Sequence, residues 1–152
     1  MKQSRVYADT SVFGGCFDDE FADESKNFFE EVTRGKFSLT ISQTLLRELN
    51  RAPERIQRVL ANLRAEAIEL VEWSEEIRLL RDSYIEAGIL SSSSVADAEH
   101  IAAASVAEVD FVVSWNFKHI VHYEKIHGYQ AINLLHGYKP ILIYSPREVI
   151  DL

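Results

Sequence analysis

The chain has 152 residues, of which 47% are hydrophobic and 26% are charged, a composition typical of an ordinary globular domain and unlike that of a disordered chain. Its single cysteine, Cys16, excludes an intrachain disulfide and a cysteine-rich zinc site, which favours a cytoplasmic protein. The formal charge of −8 disfavours binding of polyanions by the whole surface, so a nucleic acid would need a local basic patch or bound cations.

Length and hydropathy predict one domain that lies outside the membrane. A chain of this size folds most economically as a single domain, which we expect to span residues 1–152. The segment MKQSRVYADT reaches an aspartate at position 9 without an unbroken apolar core, and no apolar run of about 18 residues follows. We therefore expect a soluble, cytoplasmic protein with no targeting segment and no membrane partner.

Strand and helix patterns alternate along the chain. Strands are indicated by short β-branched and aromatic runs, and helices by apolar periods with start and stop signals. In chain order these patterns predict a strand at 5–10, a helix at 23–34, a strand at 37–41, helices at 42–50 and from Pro53 to Ala67, a strand at 67–73, a helix at 74–88, a serine loop at 91–94, a helix at 95–109, and strands at 110–116 and 138–146.

This alternation predicts the fold class. Strands that each follow a helix pair in parallel, because the helix carries the chain back across the sheet. We therefore predict an α/β fold with a mostly parallel central sheet that is flanked by helices on both faces.

Four polar residues occupy positions from which such a fold would bring them together. Asp9 ends the first predicted strand, and Asn116 ends the strand that contains Phe111–Val113. Glu48 lies in the helix after the second strand, and Asp97 lies near the start of the alanine-rich helix. Sites in parallel sheets form at the carboxyl ends of strands, so we expect Asp9, Glu48, Asp97 and Asn116 to share one site.

The three acids in this set predict a bound cation. Two carboxylates about 5 Å apart repel by roughly 3 kcal/mol at an effective dielectric constant near 20, so a cluster needs a positive charge to offset the repulsion. Oxygen ligands without cysteine favour a hard ion, Mg²⁺ or Mn²⁺, and these ions keep water in open coordination positions.

The order of the motifs resembles that of a PIN domain. The segments are YADTSVFG with Asp9, LLREL with Glu48, VADAEHIAAA with Asp97 and DFVVSWNFKHI with Ser114 and Asn116, and the closing INLLHGYKPILIYSPREVI is similar to the tail of VapC-type toxins. The resemblance implies a PIN-like fold and a metal-dependent endoribonuclease, a hydrolase in which a metal-bound water attacks an RNA phosphodiester. It also implies a cognate antitoxin, and it makes Thr10 and Ser114 candidate supporting residues. Whether the chain forms a homodimer stays open.

One departure from the family pattern keeps a second function in view. The family commonly has a carboxylate where this chain has Asn116, and the neutral amide attracts a cation less strongly. The alternative function is a PIN-like domain of weak or no activity that binds RNA or protein. Each residue also has a structural interpretation: Asn116 as a turn residue, Asp97 in a capping box with Ser94, and Glu48 as a surface glutamate beside Arg47.

Other sequence features are less specific. Arg51, Arg55 and Arg58 are spaced at i, i+4 and i+7, so they are candidates to contact RNA phosphates or else form a solvated stripe. Thr10 and Ser11 after Asp9 argue against an aspartyl-phosphate phosphatase, which usually has a second aspartate there. The first strand is not followed by G-x-G-x-x-G, which argues against a dinucleotide site. His119 and His122 would share a helical face but are too few for a zinc site.

Overall fold

The centre of the molecule is a five-stranded sheet in which every pair of neighbouring strands is parallel. This computed structural model describes residues 3–150. The strands are Ser4–Ala8 (β1), Phe37–Ser42 (β2), Ile68–Val71 (β3), Phe111–Val113 (β4) and Ile143–Tyr144 (β5). Their order across the sheet is β3-β2-β1-β4-β5.

Helices connect successive strands and cover both faces of the sheet, which confirms the predicted fold class. None within residues 3–150 has the length and apolarity needed to cross a membrane. They are Thr10–Gly15 (α1), Ala22–Thr33 (α2), Gln43–Asn50 (α3), Glu54–Ala61 (α4), Glu75–Glu86 (α5), Val95–Val106 (α6) and Tyr123–Leu135 (α7), and short 3₁₀ turns lie at Ala65–Ala67, Ser92–Ser94 and Pro146–Val149.

The two cores follow from the alternation of side chains along β1. Val6 and Ala8 face the core that α1 to α4 cover, whereas Tyr7 between them faces the core that α5, α6 and α7 cover. Helix α6 is buried along most of its length, from Ala98 to Ser105. Its small alanines let it lie close to the sheet, and this closeness brings the polar residues of the same helix to the sheet edge.

Capping explains several helix boundaries. The Ser42 hydroxyl accepts the Leu45 N–H at 3.1 Å and begins α3, and the Ser74 hydroxyl accepts the Ile77 N–H at 3.3 Å and begins α5. Gly88, two residues after α5, has a φ of 77°. Glycine adopts this left-handed conformation without strain, so Gly88 terminates the helix. The predicted capping box at Ser94 is wrong, because the Ser94 side chain makes no capping hydrogen bond to α6.

Several predicted boundaries also differ from the structure. The first strand ends at Ala8 because the chain turns into α1 at Thr10, and the helix after Pro53 ends at Ala61 rather than Ala67. The last strand has only two residues because prolines at 140 and 146, which lack an N–H, flank the short segment that pairs with β4. Residues 117–122 form turns, so His119 and His122 do not share a helical face.

Gly15 is a position where a side chain has no room. A Cβ there would lie 2.5 Å from Ser25 Oγ and 2.9 Å from Trp115 Cδ1, whereas a Cβ at Gly14 would meet only Ile56 Cδ1, at 3.9 Å. We expect Gly15→Ala to destabilise the protein by about 1–3 kcal/mol through overpacking. Gly14→Ala, the matched control, should leave stability unchanged or raise it, because alanine favours a helix. Urea unfolding of both variants measures the difference, and equal midpoints would contradict this packing.

Candidate active site

Polar residues follow the three central strands at their carboxyl ends. Asp9 comes directly after β1, Ser42 ends β2, and Ser114 comes directly after β4, with Asn116 two residues further on. The chain leaves β1 for β2 on one side, and β4 pairs with β1 on the other side. This is a topological switch point, the place where open α/β sheets bind ligands.

Asp9 is buried and held by two hydroxyl groups. Its side chain is 4% exposed, Ser11 Oγ donates to Oδ1 at 2.6 Å, and Ser114 Oγ donates to Oδ2 at 2.8 Å. Burial raises the pKa of Asp9 above its ordinary value, although His100 and the two hydroxyl groups act against this rise. Ser114 also accepts the Asn116 N–H at 2.9 Å, so one hydroxyl group links Asp9 to the loop after β4.

Glu48 reaches the same region from α3. Its Oε1 accepts hydrogen bonds from Thr10 Oγ1 and from His100 Nε2, each at 2.5 Å. Burial is the largest single influence and favours the neutral acid, but these bonds and the nearby Arg47 bring the pKa of Glu48 below its ordinary value. Thr10, at the start of α1, is adjacent to Asp9, so it ties the second carboxylate to the first.

His100 links Glu48 to the interior of the sheet. Its Nδ1 lies 2.5 Å from Tyr7 Oη, and Tyr7 Oη lies 2.6 Å from Ser42 Oγ. Burial is the largest influence on His100 and opposes its charge, yet the bond to Glu48 and the charges of Asp9, Glu48 and Asp97 raise the pKa of His100 above its ordinary value. When it is protonated, His100 donates from both nitrogens and places a positive charge among the acids.

Asp97 faces the loop after β4 from the first turn of α6. Its Oδ1 accepts a hydrogen bond from Asn116 Nδ2 at 3.3 Å, and burial raises its pKa above the ordinary value. The Asn116 carbonyl oxygen accepts the His119 N–H at 2.9 Å. Asn116 thus stabilises a turn and presents its amide nitrogen, not its oxygen, to Asp97, while its role as a metal ligand stays a prediction.

The structure connects the four predicted residues in a hydrogen-bond network, in which three other side chains bridge most of the contacts. Ser114 joins Asp9 to Asn116, and Asn116 joins Asp97. Thr10 and His100 join Glu48 to the same edge. We call Asp9, Glu48 and Asp97 the acid cluster. Within this cluster the hydroxyl and amide donors and His100 offset the repulsion between the three acids.

The fit of a metal ion to this cluster has two parts. The donor chemistry fits Mg²⁺ or Mn²⁺, because three carboxylates from separate elements provide only oxygen atoms. The arrangement is less complete: among residues 3–150, no three His, Cys, Asp or Glu side chains are gathered closely enough to hold a metal as they stand. His100 and Asn116 occupy one oxygen each of Glu48 and Asp97, so a bound metal would have to compete with these contacts.

Sequence reasoning missed His100 as a member of this site. The signal was a histidine one helical turn after Asp97 in an alanine-rich helix. Such a position places the imidazole on the same helix face as the acid. Tyr7 was missed because it lies inside a strand, where a buried tyrosine is indistinguishable in sequence from a core residue.

The three candidate RNA-contact arginines lie on the C-terminal side of Glu48. Arg51 is exposed and comes directly after α3, one helical turn after Glu48. On α4, Arg55 lies with its guanidinium 5.4 Å from the ring centre of Phe17, and Arg58 is paired with Glu54 at 2.9 Å. All three arginines follow Glu48 within ten residues of the sequence. Their contact with RNA phosphates stays a prediction.

The raised pKa of His100 predicts how stability depends on pH when no metal is present. A histidine whose pKa is higher in the folded protein than the unfolded value of 6.5 stabilises the fold fully below that value, and this stabilisation is lost as pH rises through the folded pKa. In EDTA, the melting temperature should therefore fall as pH rises above about 6.5. His100→Gln, which is neutral throughout, should flatten this slope. An identical slope in both proteins would contradict the raised pKa of His100.

Comparison with solved structures supports a fold of the PIN/VapC type. This chain is similar to a chain in the crystal structure of VapBC2 from Rickettsia felis bound to a DNA fragment from their promoter, with a TM-score of 0.59. The two sequences are 14% identical, and the match covers 93% of this chain and 98% of that chain. No family model matches the sequence, and no curated protein is similar to it in sequence. At this identity, the likeness shows the fold alone.

Proposed function

We propose that this protein is a metal-dependent endoribonuclease that hydrolyses RNA phosphodiester bonds in the cytoplasm, as the toxin of a toxin–antitoxin pair. The acid cluster is the observation that carries the proposal, because it joins carboxylates from β1, α3 and α6 at the switch point of the sheet. A purely structural role would not need three acids from separate elements at one edge of the sheet.

In this proposal Asp9, Glu48 and Asp97 hold Mg²⁺ or Mn²⁺. When bound, such an ion supplies charge stabilisation for a phosphodiester and lowers the pKa of a water molecule. The surrounding residues keep the ligands in place: Ser11 and Ser114 fix Asp9, and Asn116 fixes Asp97. His100 contacts Glu48 and, when it is protonated, offsets part of the negative charge there.

The remaining parts of the proposal concern RNA and a partner protein. Arg51 and Arg55 have no ion pair within residues 3–150, which leaves them available to phosphates. This chain resembles a chain in the VapBC2 structure, and on that basis we propose a cognate antitoxin for this protein. An antitoxin that inserts an arginine or lysine into the acid cluster would supply the missing positive charge there.

A second candidate function is favoured by the contacts of Glu48 and Asn116. His100 already contacts Glu48, and in the described part of the chain no three metal-binding side chains lie close enough together to hold an ion. These observations also fit a domain that binds RNA or protein without cleaving it. Such a domain would use the same surface but would not respond to divalent cations.

Incubation with RNA distinguishes the two functions. Purified protein is mixed with structured and unstructured RNAs in Mg²⁺, in Mn²⁺ and in EDTA, and the products are resolved by length. The enzyme should yield discrete internal fragments in either metal and intact RNA in EDTA. Intact RNA under all three conditions, together with measurable RNA binding, would favour the binding module.

The toxin assignment makes a separate prediction about growth. Expression of this chain alone should slow bacterial growth, because free ribonuclease activity depletes cellular RNA, and Asp9→Asn expressed at the same level should not. Optical density and the amount of each protein are measured together. Normal growth at high expression, with no small protein co-purifying, would remove the toxin assignment while leaving RNA cleavage in vitro as a separate question.

A further inference from the structure

A cleft beside the acid cluster contains an exposed tryptophan and two arginines. Its volume is about 260 Å³, and it is lined by Gln43, Arg47, Trp73, Arg81 and Glu99. Trp73 lies two residues after β3, Arg47 is adjacent to Glu48 on α3, and Glu99 is adjacent to His100 on α6. The cleft therefore opens at the carboxyl edge of the sheet, next to the site proposed for cleavage.

Trp73 is unusual because a large aromatic surface is left in solvent. It is 42% exposed, whereas Trp115, the other tryptophan, is 6% exposed and packs in the core. The Arg81 guanidinium lies 5.4 Å from the Trp73 ring centre and holds the indole through a cation–π contact. A fixed aromatic ring that retains exposed surface is a platform on which a planar ligand can stack.

Glu99 fixes the arginines that border this platform. It is 7% exposed, and it accepts hydrogen bonds from Thr44 Oγ1 at 2.7 Å and from Arg47 and Arg81 at 2.9 Å each. Arg81 also contacts Asp82, so its charge is balanced within the protein. Within residues 3–150, Glu99 is the only carboxylate that pairs with Arg47, and it also pairs with Arg81. The Arg47 side chain is 62% exposed, so its remaining donors face solvent.

Size and chemistry together indicate the ligand. Pockets for drug-sized ligands occupy about 300–1,000 Å³, so a cleft of 260 Å³ suits a single planar ring system. Stacking on Trp73 suits a nucleobase, and the exposed guanidinium of Arg47 suits the phosphate of the same nucleotide. A paired base would be stacked inside its duplex and could not reach the indole.

We propose that this cleft binds one unpaired nucleotide of a single-stranded RNA, with its base stacked on Trp73 and its phosphate held by Arg47. This inference rests on the proposed function, because it places the nucleotide beside the cleavage site. It adds a location to that function: a base-stacking subsite at Trp73 that lies outside the acid cluster.

The test measures binding in EDTA, so that it does not depend on cleavage. A labelled, unstructured RNA of about 10 nucleotides is titrated with protein, and fluorescence anisotropy gives the Kd. We expect Trp73→Ala to raise the Kd by about tenfold and Trp73→Phe, which retains an aromatic face, to raise it much less. Intrinsic fluorescence of the wild type should be quenched by the RNA, and that of Trp73→Phe, which retains only buried Trp115, should not.

Arg47 is tested by the salt dependence of the same binding. Loss of one phosphate contact reduces the slope of log K against log salt by about 0.7 for single-stranded nucleic acid, so Arg47→Ala should show this reduction. Arg78→Ala is the matched control, since Arg78 lies on α5, pairs with Glu75 and Asp82, and does not line the cleft. Its slope should equal that of the wild type.

The outcomes separate this inference from the proposed function. An unchanged Kd for Trp73→Ala, or equal quenching by duplex RNA or by polyglutamate, would overturn the nucleotide site even if the protein cleaves RNA. Conversely, Trp73-dependent binding of single-stranded RNA by a protein that cleaves nothing would uphold the site and reject the nuclease.

Discussion

Asp9→Asn should reduce metal-dependent RNA cleavage by about 100-fold or more, because it removes a charged ligand from a metal that contributes several kcal/mol to transition-state stabilisation. The fold should survive the change. Asparagine is nearly isosteric with aspartate, and Ser11 and Ser114 can reorient their hydroxyl groups to bond with its amide. Because burial opposes the charge of Asp9, the melting temperature in EDTA should be equal or higher in the variant.

The matched control for this prediction is Asp23→Asn. Asp23 is exposed in the first turn of α2 and undergoes the same chemical change, and within residues 3–150 it makes no hydrogen bond to the acid cluster. Cleavage rates of the wild type and both variants in Mn²⁺, with thermal unfolding of each, separate a site effect from a folding effect. Wild-type cleavage by Asp9→Asn would reject Asp9 as a ligand.

Asn116→Asp should strengthen metal binding. In the present structure the Asn116 amide donates to Asp97, so aspartate there would replace an attraction with repulsion between two carboxylates. A bound divalent cation relieves this repulsion. We therefore expect the variant to be less stable than the wild type in EDTA, to bind Mn²⁺ about tenfold more tightly, and to gain more thermal stability from Mn²⁺.

Asn62→Asp provides the comparison for this second prediction. Asn62 is exposed at the end of α4, so the variant adds the same charge away from the acid cluster. Calorimetric titration with Mn²⁺ should give a wild-type affinity for this control. If Asn116→Asp also binds Mn²⁺ no more tightly than the wild type, position 116 lies outside the ligand sphere and serves only the turn through the His119 N–H.

Elements with a strong local signal were predicted from the sequence, whereas two helices were not. Helix α2 has acids in its first turn and buried phenylalanines on one face, and strand β2 is a short apolar run, so both were predicted within a residue or two. Helix α1 is six residues long and ends in a pair of glycines, which indicate a break. Helix α7 has only two fully buried residues, Tyr129 and Asn133, so it lacks the apolar stripe that reveals a helix.

The site divides in a similar way between local and long-range information. Asp9 follows β1 directly and Asn116 lies in the loop just after β4, so the parallel arrangement of the sheet was enough to predict that they lie near each other. The pairing of His100 with Glu48 joins α6 to α3 across 52 residues, and no local pattern encodes it. The orientation of the Asn116 amide was likewise unpredictable, because it depends on the His119 backbone N–H in a turn that the sequence suggested as helix.

The central claim is that the acid cluster is a metal centre, and crystallography of the protein grown with Mn²⁺ tests it most directly. Anomalous scattering identifies the ion independently of any activity. We predict a manganese peak bound by carboxylate oxygens of Asp9, Glu48 and Asp97, with the contact between Glu48 and His100 lengthened. A crystal grown in saturating Mn²⁺ that shows no peak at these residues, with the His100 contact intact, would contradict the claim.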